Sequence, residues 1–341
     1  MYMIRLKSII LLIQLLLASV SYAQFVTIWQ TDKKGTSQSN QIIIPAKGTY
    51  QITWEEVGKP NNRGKAQGKN TTTLTFPKAG IYKISITGNL QQIKFDAKDD
   101  SCKLLTIEQW GDIAWMSMED AFAGCMNMNC SATDAPNLSQ VKSLAYMFIN
   151  CKQFNGKIGH WNVEQVVNMR GMFSSATSFN QPIGKWNTSQ VTNMSEMFLF
   201  AESFNQPIGE WNTSQVTKMY WMFHWANSFN QPIGTWDTGK VITMDYMFAN
   251  ATSFNQPIGK WNTSQVVGMT GMFIDARLFN QPIGEWNTSQ VTNMQEMFLS
   301  AKSFNQPIGK WNVSKVTNMR NMFKGATQFK QDLSHWKQLK K

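Results

Sequence analysis

Histidine is scarce in this sequence, which has three histidines among its 341 residues: His160, His224 and His335. Acid–base catalysis usually depends on a histidine or a carboxylate held in a unique pocket. His160 and His335 instead share one position of an internal repeat, and other copies of the repeat place Lys185 or Glu210 there. A position that accepts both signs of charge is expected at the surface, and no glycine-rich phosphate loop is present. We therefore predict that the protein is not an enzyme and that it holds no cofactor and no metal.

Long apolar runs are also absent after the first segment of the chain. There, Arg5 and Lys7 precede the apolar run IILLIQLLLASV, and the small residues Ser21 and Ala23 occupy positions −3 and −1 of a cleavage site. This arrangement is typical of a secretory signal peptide, which we place at residues 1–23, and the apolar run is short for a membrane span. The residue directly after the cut is Gln24 and not cysteine, which argues against a lipoprotein signal. The protein is expected to be exported, secreted or at the cell surface, and not membrane-spanning.

Cysteine is rare as well: the chain has Cys102, Cys125, Cys130 and Cys151. An even number in an exported chain permits two disulfides. Cys125 and Cys151 occupy equivalent positions of neighbouring repeats, whose Cα atoms would lie about 5 Å apart, within disulfide range. We predict either this bond or two free, buried thiols, with Cys102–Cys130 as the second candidate bond. The spacing CMNMNC, with no histidine nearby, argues against a zinc site.

Charged residues make up 16% of the chain, and much of the net charge of +11 lies in its N-terminal part. The most basic stretch is GKPNNRGKAQGKN, residues 58–70. Its glycine, asparagine and lysine content predicts a solvated loop, and weak attraction to anionic glycans or lipid headgroups is the alternative. The chain has no motif typical of nucleic-acid readers, so nucleic acid is not an expected partner.

Repetition is what the sequence has in abundance. The stretch FNQPIGKWNTSQVTNMSEMF begins at Phe179 and returns with few changes in later copies. From Phe154 onward, lines of 25 residues align without a gap, and a degenerate copy precedes them. A fixed period of this length predicts a stack of rungs and not a propeller, because 25 residues are too few for the four strands of a propeller blade. The copies number about nine, so about nine stacked rungs are expected.

The constant positions of each copy are mostly large and apolar and indicate the core. In one copy they are Phe179, Ile183, Trp186, Val191, Met194, Met197, Phe198 and Ala201. Helical spacing in SEMFLFAESF predicts a short helix, and QVTNM predicts a short parallel strand. Alternation in FVTIWQT, NQIIIPA, TYQITWEE, TTTLTF and GIYKISITG predicts a small β-sandwich in residues 24–98. The predicted fold class is an α/β solenoid, a leucine-rich-repeat-like stack of about nine 25-residue strand-turn-helix rungs in residues 99–341, preceded by that sandwich.

The variable positions turn aromatic in the middle of the array. The residues concerned are Phe200, Tyr220, Trp221, His224, Trp225 and Tyr246. On a helix, positions four apart, such as 196 and 200, share a face. Across stacked rungs, Trp221 is expected beside Tyr246 and Phe200 beside Trp225. Exposed aromatic patches tend to mark contact sites. We predict a ligand-binding patch, with homotypic contact between two copies and plain local packing as the alternatives.

Two parts of the sequence resemble known families. The segment FPKAGIYKISITG resembles the closing strands of PKD and immunoglobulin-like modules. The WNTSQVTNM…MF…A…FNQPI repeats resemble the BspA-like leucine-rich-repeat surface proteins of bacteria, from about Leu104 to the C-terminus. This resemblance implies a secreted or surface-displayed bacterial protein with an adhesive role, whose partner is an extracellular protein or glycan. The alternative is a structural or self-associating envelope spacer without a distinct ligand.

Overall fold

The computed structural model describes residues 24–95 and 99–336, so the predicted signal peptide lies outside the described residues. Eight strands and one 3₁₀-helix, Ser101–Lys103, are present in these ranges. The strands are β1 Phe25–Gln30, β2 Gln41–Ile44, β3 Ala46–Glu56, β4 Lys59–Lys69, β5 Thr72–Thr75, β6 Ile81–Ile93, β7 Leu104–Gln109 and β8 Asn129–Cys130. They form a six-stranded sheet of order β4-β3-β6-β1-β7-β8 and a two-stranded sheet, β2-β5.

The large sheet is antiparallel except where β7 and β8 pair in parallel. In β3 and β6 the side chains alternate between buried and more exposed, as expected for strands with one face on a core. Tyr50, Ile52, Tyr82 and Ile84 are buried together with Ile42 of the small sheet. Each of the five segments predicted as strands from alternation contains a strand.

The basic stretch of residues 58–70 is not the solvated loop that its composition predicts. Most of it is β4, which pairs with β3 along its length and forms an edge of the large sheet. Gly64 and Gly68 explain the composition: a Cβ at either position would lie 2.4 Å from the Trp54 ring and 2.1 Å from the Tyr50 ring, respectively. Glycine there makes room for two aromatic side chains of the neighbouring strand.

The predicted fold class is wrong. Among the described residues there is no α-helix, and all the strands lie between residues 25 and 130. The large sheet also does not end with the predicted sandwich, because β7 pairs with β1 and β8 pairs with β7. The α/β solenoid of strand-turn-helix rungs, preceded by a separate sandwich, is replaced by a β-rich unit that continues into stacked layers of turns.

Each 25-residue layer is built from consecutive turns, and its β pairing with the next layer is a single isolated parallel bridge, such as Asn193 to Lys218. The predicted strand QVTNM is reduced to that bridge. In the predicted helix, some amides close local turns, as from Ala201 to the Phe198 carbonyl at 3.0 Å. Others point to the next layer, as from Phe198 to the Met222 carbonyl at 2.9 Å. A helix would keep both kinds of bond within one segment.

The backbone conformation shows why no helix forms. Glu196 and Phe200 have φ of 61° and 56°, and their equivalents in the other layers also have positive φ. Each occupies the third position of a four-residue turn, where a type II turn requires positive φ. A left-handed residue at every fourth position interrupts the helical path and also creates a four-residue spacing of the apolar side chains.

Stacked aromatic rings fill the core of the layers. Phe198 lies between Phe173 and Phe223 of the neighbouring layers, with centroid distances of 5.8 and 5.6 Å, and 3.9 Å from Phe204 of its own layer. A third column stacks the tryptophans, and from Trp186 to Trp336 each indole N–H donates to a main-chain carbonyl, as from Trp236 to Ile208 at 3.0 Å. The apolar columns identified in the sequence therefore form continuous ladders.

The constant polar residues of the repeat also have a structural cause. The main-chain N–H of Asn205 and the side-chain amide of Gln206 both donate to the Asn180 side chain of the preceding layer, at 3.0 and 2.9 Å. A Cβ on Gly184 would lie 2.2 Å from the Pro207 carbonyl oxygen of the next layer. The constant segment NQPIG is thus explained by contacts between layers. No helix in the part of the chain that the structure describes is long and apolar enough to cross a membrane.

Candidate functional site

The six aromatic residues of the variable positions form one contiguous patch across three layers. Phe200 stacks beside Trp225 with ring centroids 6.2 Å apart, and Trp221 meets Tyr246 edge-on at 5.9 Å. These are the neighbours expected from the alignment of the repeats. His224 lies at the centre, 5.7 to 6.4 Å from the rings of Phe200, Trp221, Trp225 and Tyr246. We call Phe200, Tyr220, Trp221, His224, Trp225 and Tyr246 the aromatic patch.

The large rings of the patch are accessible. Phe200, Trp221 and Trp225 are 39, 41 and 39% exposed, and Tyr220, His224 and Tyr246 are half-buried. The three most exposed rings therefore retain apolar surface that the fold does not cover, which is the property of a contact site.

The backbone beneath the patch gives no reason for its large side chains. Trp221 and Trp225 have φ of 58° and 59°, a conformation that costs a non-glycine residue about 1–2 kcal/mol. Other layers place Gly271 and Gly325 at these two positions. Glycine adopts positive φ without that cost. The two tryptophans are thus present despite the local backbone preference.

Tyr246 differs from the tryptophans because its ring has a packing role. A Cβ on Gly271 of the next layer would lie 2.5 Å from the Tyr246 ring, so the ring covers that glycine. Tyr146 covers Gly171 in the same way, at 2.3 Å. Packing therefore explains Tyr246, whereas Trp221 and Trp225 leave 41 and 39% of their surface exposed.

A polar groove of about 470 Å³ adjoins the patch and was not predicted. Arg170 lies over the rings of Tyr146 and Tyr220, at 5.3 and 5.7 Å from their centroids. Its guanidinium pairs with Glu196 at 2.8 Å, and the Tyr146 hydroxyl donates to the same carboxylate at 3.2 Å. Burial and the nearby carboxylate raise the pKa of Tyr146 to about 12, so its hydroxyl stays protonated as a donor.

Asp245 supplies a second carboxylate to this groove, which Trp221 and Tyr246 also line. One of its oxygens accepts the Thr270 main-chain N–H at 2.7 Å, and the other accepts the Thr243 hydroxyl at 2.6 Å. Both carboxylates are therefore held in place before any ligand arrives. Arg170, Glu196 and Asp245 occupy the same variable positions of the repeat as the aromatic residues, so the same columns could have indicated them.

One family model matches most of the repeated region. It is described as "Mycoplasma protein of unknown function, DUF285" and matches residues 116–236, 183–281 and 256–340. The chain belongs to the DUF285 family. The matched segments overlap because the 25-residue layers are similar enough to be aligned in more than one register. No curated protein and no solved structure matches the chain.

The aromatic patch and its groove lie inside the DUF285 region. The description of DUF285 names no function, so it assigns no role to the patch. The first strands, β1 to β7, precede the matched residues. Among the described residues, including the DUF285 layers, no group of three or more His, Cys, Asp or Glu side chains could hold a metal ion.

Four free cysteines lie at and before the start of the DUF285 layers, and neither candidate disulfide is formed. The Cys151 thiol donates instead to the Phe122 carbonyl at 3.0 Å. Cys125 and Cys151 are fully buried, and burial raises the pKa of both thiols. Cys125 and Cys151 thus act as small core residues, which was the alternative to the bond between them.

His224 provides a test of the patch geometry in this DUF285 protein. Burial among the rings lowers its pKa to about 4 from an ordinary value of 6.5. The unfolded chain then binds more protons than the folded chain between these pH values, so stability falls as the pH drops from about 6.5 toward 4. We expect the imidazole C–H resonances of His224 to titrate near pH 4 by NMR. A midpoint near 6.5 would show that the ring is solvated and the patch open.

Proposed function

We propose that this protein is a non-catalytic, exported binder that uses the aromatic patch to hold an extracellular glycan or protein. The signal-like N-terminus and the resemblance of the repeats to BspA-like surface proteins support secretion or surface display. The resemblance of the N-terminal strands to PKD and immunoglobulin-like modules fits the same role. The layers then serve as a rigid scaffold, and the variable positions carry the contacts.

One observation carries this proposal: two exposed tryptophans occupy positive-φ positions that some layers fill with glycine and others with small or polar residues such as Glu296 and Ser300. Residues in sparsely populated backbone conformations cost stability and persist at functional sites. Every layer has the same backbone at these positions, so the conformation itself belongs to the fold. The choice of tryptophan at Trp221 and Trp225 is what calls for a function.

The surroundings of the patch favour a glycan. Aromatic faces are apolar platforms that pack against flat ligand surfaces, and their polar edges remain wet. Beside them, Glu196 and Asp245 offer fixed acceptors, and Arg170 offers the guanidinium N–H groups that do not bind Glu196. Such a mixture of an apolar surface and a few oriented polar groups is typical of small-molecule sites. A sugar chain presents both apolar ring faces and hydroxyls to such a site.

The test removes both tryptophans without disturbing the backbone. Trp221→Gly with Trp225→Gly reproduces the residues that other layers carry at these positions, so folding should be retained. The chain from residue 24 onward is applied to a printed array of oligosaccharides and to immobilised matrix proteins. We expect the wild-type chain to bind a subset of probes and the double variant to bind them at least tenfold more weakly.

The matched control is Glu296→Gly with Ser300→Gly, which changes the same two positions three layers further along, where φ is 58° and 59°. This control should bind the array as the wild-type chain does. Unchanged binding by the tryptophan variant would contradict the proposal. The envelope-spacer alternative would be favoured if the wild-type chain self-associates in light scattering, the tryptophan variant does not, and no probe is bound by any of the chains.

A further inference from the structure

A second surface lies far along the chain from the aromatic patch, on the outward side of the large sheet. Strand β4 carries four basic residues and no acidic residue, and Arg63, Lys65 and Lys69 are all exposed. These three occupy odd-numbered positions, so they point to the same side of the sheet. Arg63 and Lys69 are six residues apart, which corresponds to about 20 Å along a strand. The three cations therefore form a line along this edge of the sheet.

The neighbouring strands extend this line into a polar face. Arg63 lies opposite Glu55, and Glu55 lies opposite Lys83 on β6. In the next row, Lys65 lies opposite Thr53, which lies opposite Ser85. A shallow depression of about 600 Å³ runs between these two rows. We call Arg63, Lys65, Lys69, Lys83, Thr53 and Ser85 the basic face.

Acidic side chains neutralise this surface only in part. Lys83 pairs with Glu108 of β7 at 3.0 Å, and Glu55 lies between Arg63 and Lys83. Among the ion pairs between described residues, none includes Arg63, Lys65 or Lys69. Charges on an edge strand, lysines especially, also prevent pairing with another chain. A line of one sign has the further property of attracting a polyanion.

We propose that the basic face binds a linear, sulfated or carboxylated polysaccharide that lies along β4. The line of cations matches the extended shape of such a chain and complements its charge. The hydroxyls of Thr53 and Ser85 supply hydrogen bonds to its polar groups. This site is separate from the aromatic patch, so the protein has two binding surfaces of different chemistry.

The side chains of the basic face favour a polysaccharide over other anionic partners. A lipid surface is usually engaged through apolar or aromatic side chains that enter the interface, and the two rows contain none. Trp54 also lines the depression, but its ring packs against Phe76 and Tyr82. Proteins that bind single-stranded nucleic acid stack its bases on aromatic side chains, and these are equally missing from the two rows. Cations with hydroxyl groups remain, which suit sulfate and carboxylate groups on a sugar chain.

The test measures binding of heparin to the chain from residue 24 onward at low ionic strength. The triple variant Arg63→Gln, Lys65→Gln, Lys69→Gln should bind heparin at least tenfold more weakly. Its control is Lys157→Gln, Lys185→Gln, Lys260→Gln, which removes the same charge from exposed lysines of the layers. The control should lose less than threefold. All six positions are exposed, and unchanged thermal melting confirms that each variant is folded.

The comparison of ligands decides between anionic partners. Neutral dextran should not bind, and added salt should weaken heparin binding because exposed charges are screened. Equal losses in the two triple variants would overturn the proposal, since net charge alone would then explain binding. Tighter binding to phosphatidylglycerol vesicles or to DNA than to heparin, sensitive to the β4 variant, would also overturn the assignment to a polysaccharide.

Discussion

Replacing Phe223 by alanine is expected to lower the free energy of unfolding by about 3–5 kcal/mol, the range for a fully buried phenylalanine. Phe223 has no exposed surface. Its ring stacks on Phe198 and Phe248 of the two neighbouring layers, at 5.6 and 5.7 Å, and on Phe229 of its own layer at 3.9 Å. Removing it opens a cavity in the aromatic ladder, and the rigid layers on either side cannot close it.

The matched comparison is Phe323→Ala at the same position of the last described layer. Phe323 stacks on Phe298 at 5.7 Å and on Phe329 at 4.1 Å, with no following layer described beyond it. It is also only partly buried. We expect its loss to cost less than half as much as the loss of Phe223.

Urea denaturation followed by tryptophan fluorescence gives the stabilities, and amide hydrogen exchange locates the effect. In a stack, each layer contacts only its neighbours, so a defect weakens the interfaces beside it. The amides of Phe198 and Phe223, which donate to carbonyls of the following layers, should lose protection in Phe223→Ala. Equal costs for the central and terminal substitutions would contradict the ladder as the main source of stability.

The core of the layers could be predicted from the sequence, and the backbone that carries it could not. Met197, Phe198 and Ala201 are all buried as the repeat predicts. Their spacing suggested a helix because turns that end in a left-handed residue every fourth position produce almost the same periodicity. Positive φ at Glu196 and Phe200 is the missing information. Nothing in a single copy indicates it, because neither residue is typical of that conformation.

Comparison between copies would have supplied part of that information. Gly171 and Gly271 share the position of Glu196, and Gly325 shares the position of Phe200. A column that accepts glycine in several copies is compatible with positive φ and unfavourable for a helix. The ring neighbours within the aromatic patch were predicted correctly. Alignment of the repeats decides which residues of successive layers are adjacent, whatever the backbone conformation. The polar groove was missed because Arg170 and Glu196 look like ordinary surface charges.

The segment that connects β6 to β7 contains a buried ion pair. Asp100 and Lys103 stand in the charged segment KDDSCK, and yet both side chains are completely buried. Asp100 accepts the main-chain N–H groups of Thr36 and Ser37, at 2.9 and 3.1 Å, and that of Ile43 at 2.7 Å. It also accepts the Ser37 hydroxyl. One carboxylate thus holds the connection between β1 and β2 against the segment that leads into β7.

Lys103 completes this cluster. Its ammonium lies 3.5 Å from the Asp100 carboxylate and donates to the carbonyls of Ser37, Gln38 and Gln41, at 3.2, 3.0 and 3.0 Å. A buried charge is tolerated when it is paired and when its remaining hydrogen-bonding capacity is used. Both conditions are met here. Removing one partner should therefore lower the free energy of unfolding far more than removing one partner of an exposed ion pair elsewhere in the chain.

We expect Asp100→Ala to lower the free energy of unfolding by about 3–5 kcal/mol, because it leaves the Lys103 ammonium buried without its counter-ion. It also leaves three main-chain N–H groups without an acceptor. Lys103→Met also leaves a buried charge without its counter-ion, but it should cost less, because the Asp100 carboxylate keeps its three main-chain N–H donors and the carbonyl oxygens left unpaired are tolerated better than N–H groups. The double variant should cost less than the sum of the two, and a double-mutant cycle in urea measures that difference. Strict additivity would mean that the pair does not act as a unit and that the main-chain hydrogen bonds to Asp100 alone hold the first strands to the layers.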